Sequence, residues 1–159
     1  MQTSAAPRWL TAEQQRTWRA YLEASAHIDR YLEEGLRPFG LGMSEYEILV
    51  NLSEAPGRRM RMSDLADASR QSRSRLTHTV ARMEKKGLLT RLPCPGDRRG
   101  VIAQLNPDGW DLLDSAAPDH VASVREILID VVDPEDLDAL GRVMNAVNRA
   151  AEHATGPAS

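Results

Sequence analysis

The sequence predicts a mainly α-helical fold carrying one small β-hairpin, and three observations support it. Apolar residues recur at three- and four-residue steps through most of the 159 residues, the spacing of one helix face. Helix-start signals stand ahead of those runs: Thr11 with Gln14, Ser44 with Glu47, Ser63, Ser72, Asn106–Pro107 and Asp133–Pro134. Strand-like segments are confined to residues 59–62, 88–92 and 101–105.

Residues 1–10 are small and polar around Pro7 and are expected to form a flexible arm. The first helix opens at Thr11. Trp18, Tyr21, Leu22, Ser25, Ile28, Leu32 and Leu36 give it one buried face, which Pro38, Gly40 and Gly42 terminate. Ser44 and Glu47 form a capping box for a helix with Tyr46, Ile48, Leu49 and Leu52 inward, stopped by Ala55, Pro56 and Gly57. Met60 and Met62 alternate with Arg59 and Arg61, a very short strand.

Ser63 caps a brief helix with Leu65, Ala66 and Ala68, and residues 69–71 make a polar turn into a longer helix. That helix starts at Ser72 and ends at Gly87, where a left-handed C-cap is wanted. Leu76, Val80 and Met83 fall at i, i+4 and i+7 as a narrow apolar stripe. Ser74, His78, Ala81 and Lys85 point away from it, flanked by Arg75 and Arg82. Short helix, tight turn and longer basic helix make a helix-turn-helix pattern. Two strands follow, joined by a loop over residues 93–100 that holds two prolines, two glycines and an arginine tip, which is a β-wing. Asn106 and Pro107 open a helix with Trp110, Leu113, Ala117, Val121, Val124, Ile127 and Leu128 inward; Pro118 is expected to kink or split it. The last helix carries Leu137, Leu140, Met144, Val147 and Ala151 on one side, and residues 153–159 are expected to be flexible.

The expected organisation is a winged helix-turn-helix unit at 44–105 between helical dimerisation segments at 11–36 and 107–152. The end helices offer more apolar surface than one small winged helix covers, so a second copy is expected to bury it.

The net charge of −3 conceals an asymmetry. Residues 58–100 hold 12 Lys and Arg against 4 Asp and Glu, a local charge of +8, while the rest carries −11. A basic middle between acidic ends is the footprint of a nucleic-acid-binding module. No apolar run approaches the roughly 20 residues of a membrane span, and residues 1–11 lack the apolar core of a signal peptide. Cys94 is the single cysteine, so no intrachain disulfide forms. A soluble cytoplasmic protein is expected. No phosphate-binding glycine loop, nucleophile elbow or metal motif is present, and His27, His78, His120 and His153 show no ligand spacing with Cys94. The sequence therefore predicts neither an enzyme nor a metal or cofactor.

Residues 72–89, SRSRLTHTVARMEKKGLL, and 97–105, DRRGVIAQL, resemble the MarR-type winged-helix regulators. The first looks like that family's recognition helix, ending in Glu84, Lys85, Lys86, Gly87 and Leu88; in the second, Asp97 and Arg99 match its Asp-x-Arg wing motif. The order of elements is similar from about Thr11 to Ala151. Departures are His78, Asn106 in place of the common Thr before the Pro-x-Gly turn, and Trp110 at a position that is frequently polar. The resemblance implies a dimeric regulator, usually a repressor, released from DNA by a small aromatic or phenolic compound bound between the dimer helices and the winged helix.

For double-stranded DNA, the candidates are Ser72, Arg73, Ser74, Arg75, Thr77, His78 and Arg82 on the helix, with Asp97, Arg98 and Arg99 on the wing. Arg75 is the expected base reader, because a guanidinium pairs bidentately with guanine O6 and N7. Ser72 and Ser74 suit phosphate near a helix N-terminus. Asp97 repels phosphate, so its expected task is to orient Arg99 or tie down the wing. For an effector, Trp18, Tyr21, Tyr46 and Trp110 are candidate pocket residues, with Arg16 or Arg19 available to a carboxylate; each of these aromatics serves equally as plain core or dimer packing. The competing readings are an architectural DNA-binding protein without an effector, and a redox-responsive regulator acting through Cys94 in an exposed loop.

Overall fold

A computed structural model describes residues 7–155. Residues 1–6 of the expected arm and 156–159 of the expected tail lie outside the described residues. Among the described residues, six α-helices run in order: α1 (Ala12–Leu36), α2 (Met43–Glu54), α3 (Met62–Ala68), α4 (Arg73–Lys85), α5 (Pro107–Val124) and α6 (Pro134–Thr155). Three strands, β1 (Arg59–Arg61), β2 (Leu89–Cys94) and β3 (Asp97–Leu105), form one antiparallel sheet in the order β1-β3-β2. A mainly helical chain with a small wing is thus what the sequence folds into.

The core lies under α4. Leu76, Val80 and Met83 are buried there with Leu36, Ile48, Leu49, Leu52, Leu65 and Leu89, and Thr79 joins the stripe by bonding its hydroxyl back to Arg75 O at 3.1 Å. Burying nine such side chains contributes on the order of 1.5–3 kcal/mol each, so this cluster anchors the helix-turn-helix against thermal disorder. Ser72 caps α4 by accepting from Arg75 N at 3.2 Å, and Gly87 ends it with φ +76°.

Several helix starts differ from expectation. The Thr11–Gln14 capping box of α1 is present, with both reciprocal bonds made. The box proposed at Ser44 and Glu47 is not: α2 begins two residues earlier, with Glu45 accepting the Gly42 N–H at 3.2 Å and Glu33 of α1 accepting that of Met43 at 2.7 Å. Glu47 pairs with Arg70 instead. Ser63 does not cap α3, which starts after Arg61; its hydroxyl bonds Asp64 at 3.1 Å. Asn106 holds the N-cap position of α5 without a side-chain cap, its amide being used between Gly87 O (3.0 Å) and the Thr90 hydroxyl (2.9 Å). Pro118 does not split α5, which is continuous through it; the irregularity falls later, as a π-helical turn at Arg125–Ile129.

The face of α1 expected to be buried is graded. Trp18, Tyr21 and Leu22 are exposed, Ile28 and Leu32 half-buried, and only Leu36 is fully inside. No residue of α6 from Pro134 to His153 is buried, although its apolar side is well formed. Val121, Val143 and Val147 are exposed as well.

Candidate nucleic-acid interface

The α3–α4 turn holds Arg70 in left-handed backbone (φ +52°) and brings α4 out with every expected contact residue in solvent. Ser72, Arg73, Ser74, Arg75, Thr77, His78 and Arg82 are all exposed. Among the basic ones, Arg75 donates to the Ser44 hydroxyl at 3.3 Å, and Arg82 lies 3.9 Å from the buried carboxylate of Glu45, which Lys86 also approaches at 3.4 Å. Thr77 bonds its hydroxyl back to Arg73 O at 2.8 Å. Among the described residues, the guanidinium groups of Arg73, Arg98 and Arg99 have no hydrogen-bond or ion-pair partner, so they face solvent with their charge uncompensated.

The wing is more ordered than a loop over residues 93–100. Strand pairing continues to Cys94↔Asp97, and Gly96 (φ +79°) takes the turn. Pairing passes directly from Pro93↔Val101 to Cys94↔Asp97, so Arg98, Arg99 and Gly100 are extruded from the ladder. Two guanidinium groups thus stand at the tip without strand partners. Pro93 fits because β2 is an edge strand, where a missing N–H costs no ladder bond.

Asp97 ties this tip down. It accepts from Arg99 N at 3.0 Å and from Arg61 Nη1, across on β1, at 3.0 Å. These bonds, the Arg99 amide foremost and then the Arg61 side chain, hold its carboxyl below the usual range. A methyl group at Gly100 would come within 2.7 Å of both Asp97 Oδ2 and Cys94 Cβ, so the close turn needs glycine there. At the wing's root, Glu84 accepts the Arg91 N–H (2.8 Å) and pairs with its guanidinium (2.8 Å), which lowers the Glu84 pKa. The wing is thereby braced to α4 at its root and to β1 at its tip. Glu84, Asn106 and Arg61 were not singled out as functional from sequence; the Glu84–Arg91 spacing is a local signal, whereas Arg61 meets Asp97 only through the sheet.

The expected effector residues do not converge within one chain. Trp18 and Tyr21 stack at 5.7 Å on exposed α1, while Tyr46 is buried in the core against His120, ring centroids 4.3 Å apart. Trp110 lies under the Arg58 guanidinium, 3.8 Å from its centroid. At 1.5 Å per residue, a rigid α1 holds Tyr21 roughly 20 Å from the Leu36 end that packs on the core. Burial raises the Tyr46 pKa and lowers that of His120, whose Nδ1 is buried without a partner. An open concavity of about 620 Å³ does lie at the start of α1, where Trp9, Trp18 and Leu22 meet Arg8 and Arg19. Cys94 is buried rather than exposed, enclosed by the wing turn.

Residues 41–101, the unit just described, match the MarR family profile. AbsC of Streptomyces coelicolor, a MarR family transcriptional regulator, is 50% identical, the alignment covering 95% of this chain and all of that one, with a TM-score of 0.87. The chain belongs to the MarR family. Sco3205, a second MarR family transcriptional regulator of Streptomyces coelicolor, solved in complex with DNA, is 42% identical over 96% of this chain and 97% of that one, with a TM-score of 0.91. The regulator PecS of Dickeya dadantii is 35% identical over 103 residues, which span 64% of this chain and 61% of PecS. This MarR-family transcriptional regulator therefore combines the family's helix and wing with a chain-spanning likeness to solved members. No helix among its described residues is long and apolar enough to cross a membrane.

Proposed function

We propose that this chain binds double-stranded DNA as a homodimer on a pseudo-palindromic operator and represses transcription by occupying it. One observation supports the reading above the others: α4 and the wing present uncompensated arginines on one side of a unit whose long helices α1 and α6 leave apolar faces uncovered. α6, with Leu137, Leu140, Met144 and Val147 on one side, and the Trp18–Leu22 stretch of α1 would find their partners in a second copy. Two copies would carry two recognition helices to half-sites about 34–36 Å apart. Each helix would read bases through Arg75, with Thr77 and His78 beside it, while Ser72, Arg73, Ser74 and Arg82 meet the backbone. Arg98 would serve the minor groove and Arg99 the adjoining backbone, with Asp97 holding the wing in place.

A small aromatic or phenolic effector belongs to the same proposal. The four aromatics do not form one pocket in a single chain, so such a compound would lodge where copies meet, near the Trp18–Tyr21 stack with Arg19 available to an acid group. Burial of Cys94 favours this over a peroxide-sensing wing.

Selection of bound sites from random duplexes, with light scattering on the free protein, tests the core of the proposal. A two-fold symmetric motif and a dimer mass at micromolar concentration are expected. A monomer, or enrichment of no motif, refutes it.

A further inference from the structure

Between α4 and the wing lies a cleft of about 330 Å³ lined by Arg61, Ser63, Arg73, Thr77, Asp97 and Arg99 among others. Three guanidinium groups and two hydroxyl-bearing side chains face one carboxylate, a surplus of two positive charges. The carboxylate is already engaged. Asp97 is held by the Arg99 amide and by Arg61, so it fixes Arg61 at the cleft's edge instead of competing for a cation arriving from outside. Arg73 projects from the first turn of α4 with no partner of its own among the described residues.

Geometry then identifies what crosses this cleft. A helix in the major groove and a wing in the adjacent minor groove must straddle the single sugar–phosphate strand that separates those grooves. We propose that the cleft is a preformed seat for one phosphodiester of that strand, with Arg61 and Arg73 as its charged ligands and Arg99 closing it from the wing. Arg61 lies on a strand outside both the recognition helix and the wing tip, and its assignment rests on the DNA-binding reading above. Charge-assisted bonds to a phosphate from three directions would set the register of α4 along the groove without reading sequence.

The test uses the full-length protein and a 30-base-pair duplex recovered by its own selection, with affinity measured against potassium chloride concentration. Each phosphate is replaced singly by an uncharged methylphosphonate. Removing one phosphate contact should lower affinity roughly 5- to 10-fold at 0.1 M salt and reduce the log–log salt slope by about 0.9. Wild-type protein should show such a loss at one groove-dividing phosphate per half-site. Arg61→Gln and Arg73→Gln should each show a similar loss on the unmodified duplex and little further loss with that methylphosphonate, while staying sensitive to the others. Arg61→Lys should recover part of the affinity. Because Arg73 takes no part in bracing Asp97, its variant reports on the seat even if Arg61→Gln loosens the wing. Both variants keeping the wild-type slope, or losing as much as wild type to that methylphosphonate, overturns the seat while leaving DNA binding intact. Wild-type protein that binds no duplex at low salt overturns the DNA-binding reading and the seat together.

Discussion

Gly109 is where α5 is pressed onto the sheet, and replacing it with alanine measures how tightly. A Cβ at this position would lie 2.1 Å from the Leu88 carbonyl oxygen and 2.8 Å from Leu105 Cδ1. Leu105 can rotate, but the Leu88 carbonyl is backbone and already accepts the Asn106 N–H at 3.0 Å. Reaching an ordinary contact of roughly 3.5 Å requires a retreat of more than 1 Å, and that retreat pulls the carbonyl from its donor. Overpacking of this kind costs roughly 1–3 kcal/mol and the weakened hydrogen bond about 1 more. Alanine's better helix propensity offsets at most about 1 kcal/mol. A net loss of about 1–3 kcal/mol is expected for Gly109→Ala. With a urea m-value of about 2 kcal/mol/M, the unfolding midpoint should fall by roughly 0.5–1.5 M. The comparison must be made at one protein concentration, because the proposed association would couple to unfolding. An unchanged or higher midpoint would refute the claim that α5 begins in hard contact with the Leu88 backbone just ahead of β2.

Further predictions concern single side chains. Arg70→Gly removes left-handed strain worth about 1 kcal/mol and an exposed ion pair with Glu47 worth about 0–1, so thermal unfolding should occur at the same or a higher temperature; a loss beyond about 0.5 kcal/mol would show that the pair outweighs the strain. The Asp97 carboxyl is held below its usual range, so its contribution to stability is complete above about pH 4 and disappears as pH falls through the lowered value. Asp97→Asn should therefore unfold at lower temperature than wild type at neutral pH, with the gap closing in acid, and a constant gap counts against the brace. Burial lowers the His120 pKa, so below about pH 6.5 the unfolded chain takes up the proton first and stability declines. His120→Phe should flatten that decline, and an imidazole titrating at its ordinary value by NMR argues against burial. The Cys94 thiol should react with a disulfide reagent far more slowly in the folded protein than in urea; equal rates would mean that the wing turn does not enclose it.

The parts of the fold readable from sequence are those in which neighbouring residues settle the outcome. The α4 stripe, its Ser72 cap and the positive-φ Gly87 are local features, and each stands where periodicity and capping chemistry put it. Ambiguity begins where a distant partner decides. Both Glu45 and Glu47 could serve as the third residue of a capping box, and α2 starts at the earlier position with Glu33 of α1 engaging the Met43 amide. The wing looked like a loop because two prolines and two glycines crowd it, yet strand pairing persists with Pro93 on an edge. Of the interface, the α4 and wing arginines were legible from charge and spacing. Arg61 was not, since its tie to Asp97 spans 36 residues and exists only once β1 lies beside β3. The effector aromatics were grouped by residue type, and the length of α1 keeps them apart.

The double bracing of the wing, by Glu84 at its base and Asp97 at its end, limits how such a protein can let go. Recognition helix, hairpin and β1 are tied into one clamp, the helix through Glu84–Arg91 and β1 through Arg61–Asp97. In a paired assembly the adjustable quantity would be the separation and tilt between two clamps, controlled by the long helices that join them. A displacement comparable to the 3.4 Å rise of one base step would already put the second clamp out of phase with its half-site. A compound wedged among those helices could thus empty an operator without touching any arginine that holds it.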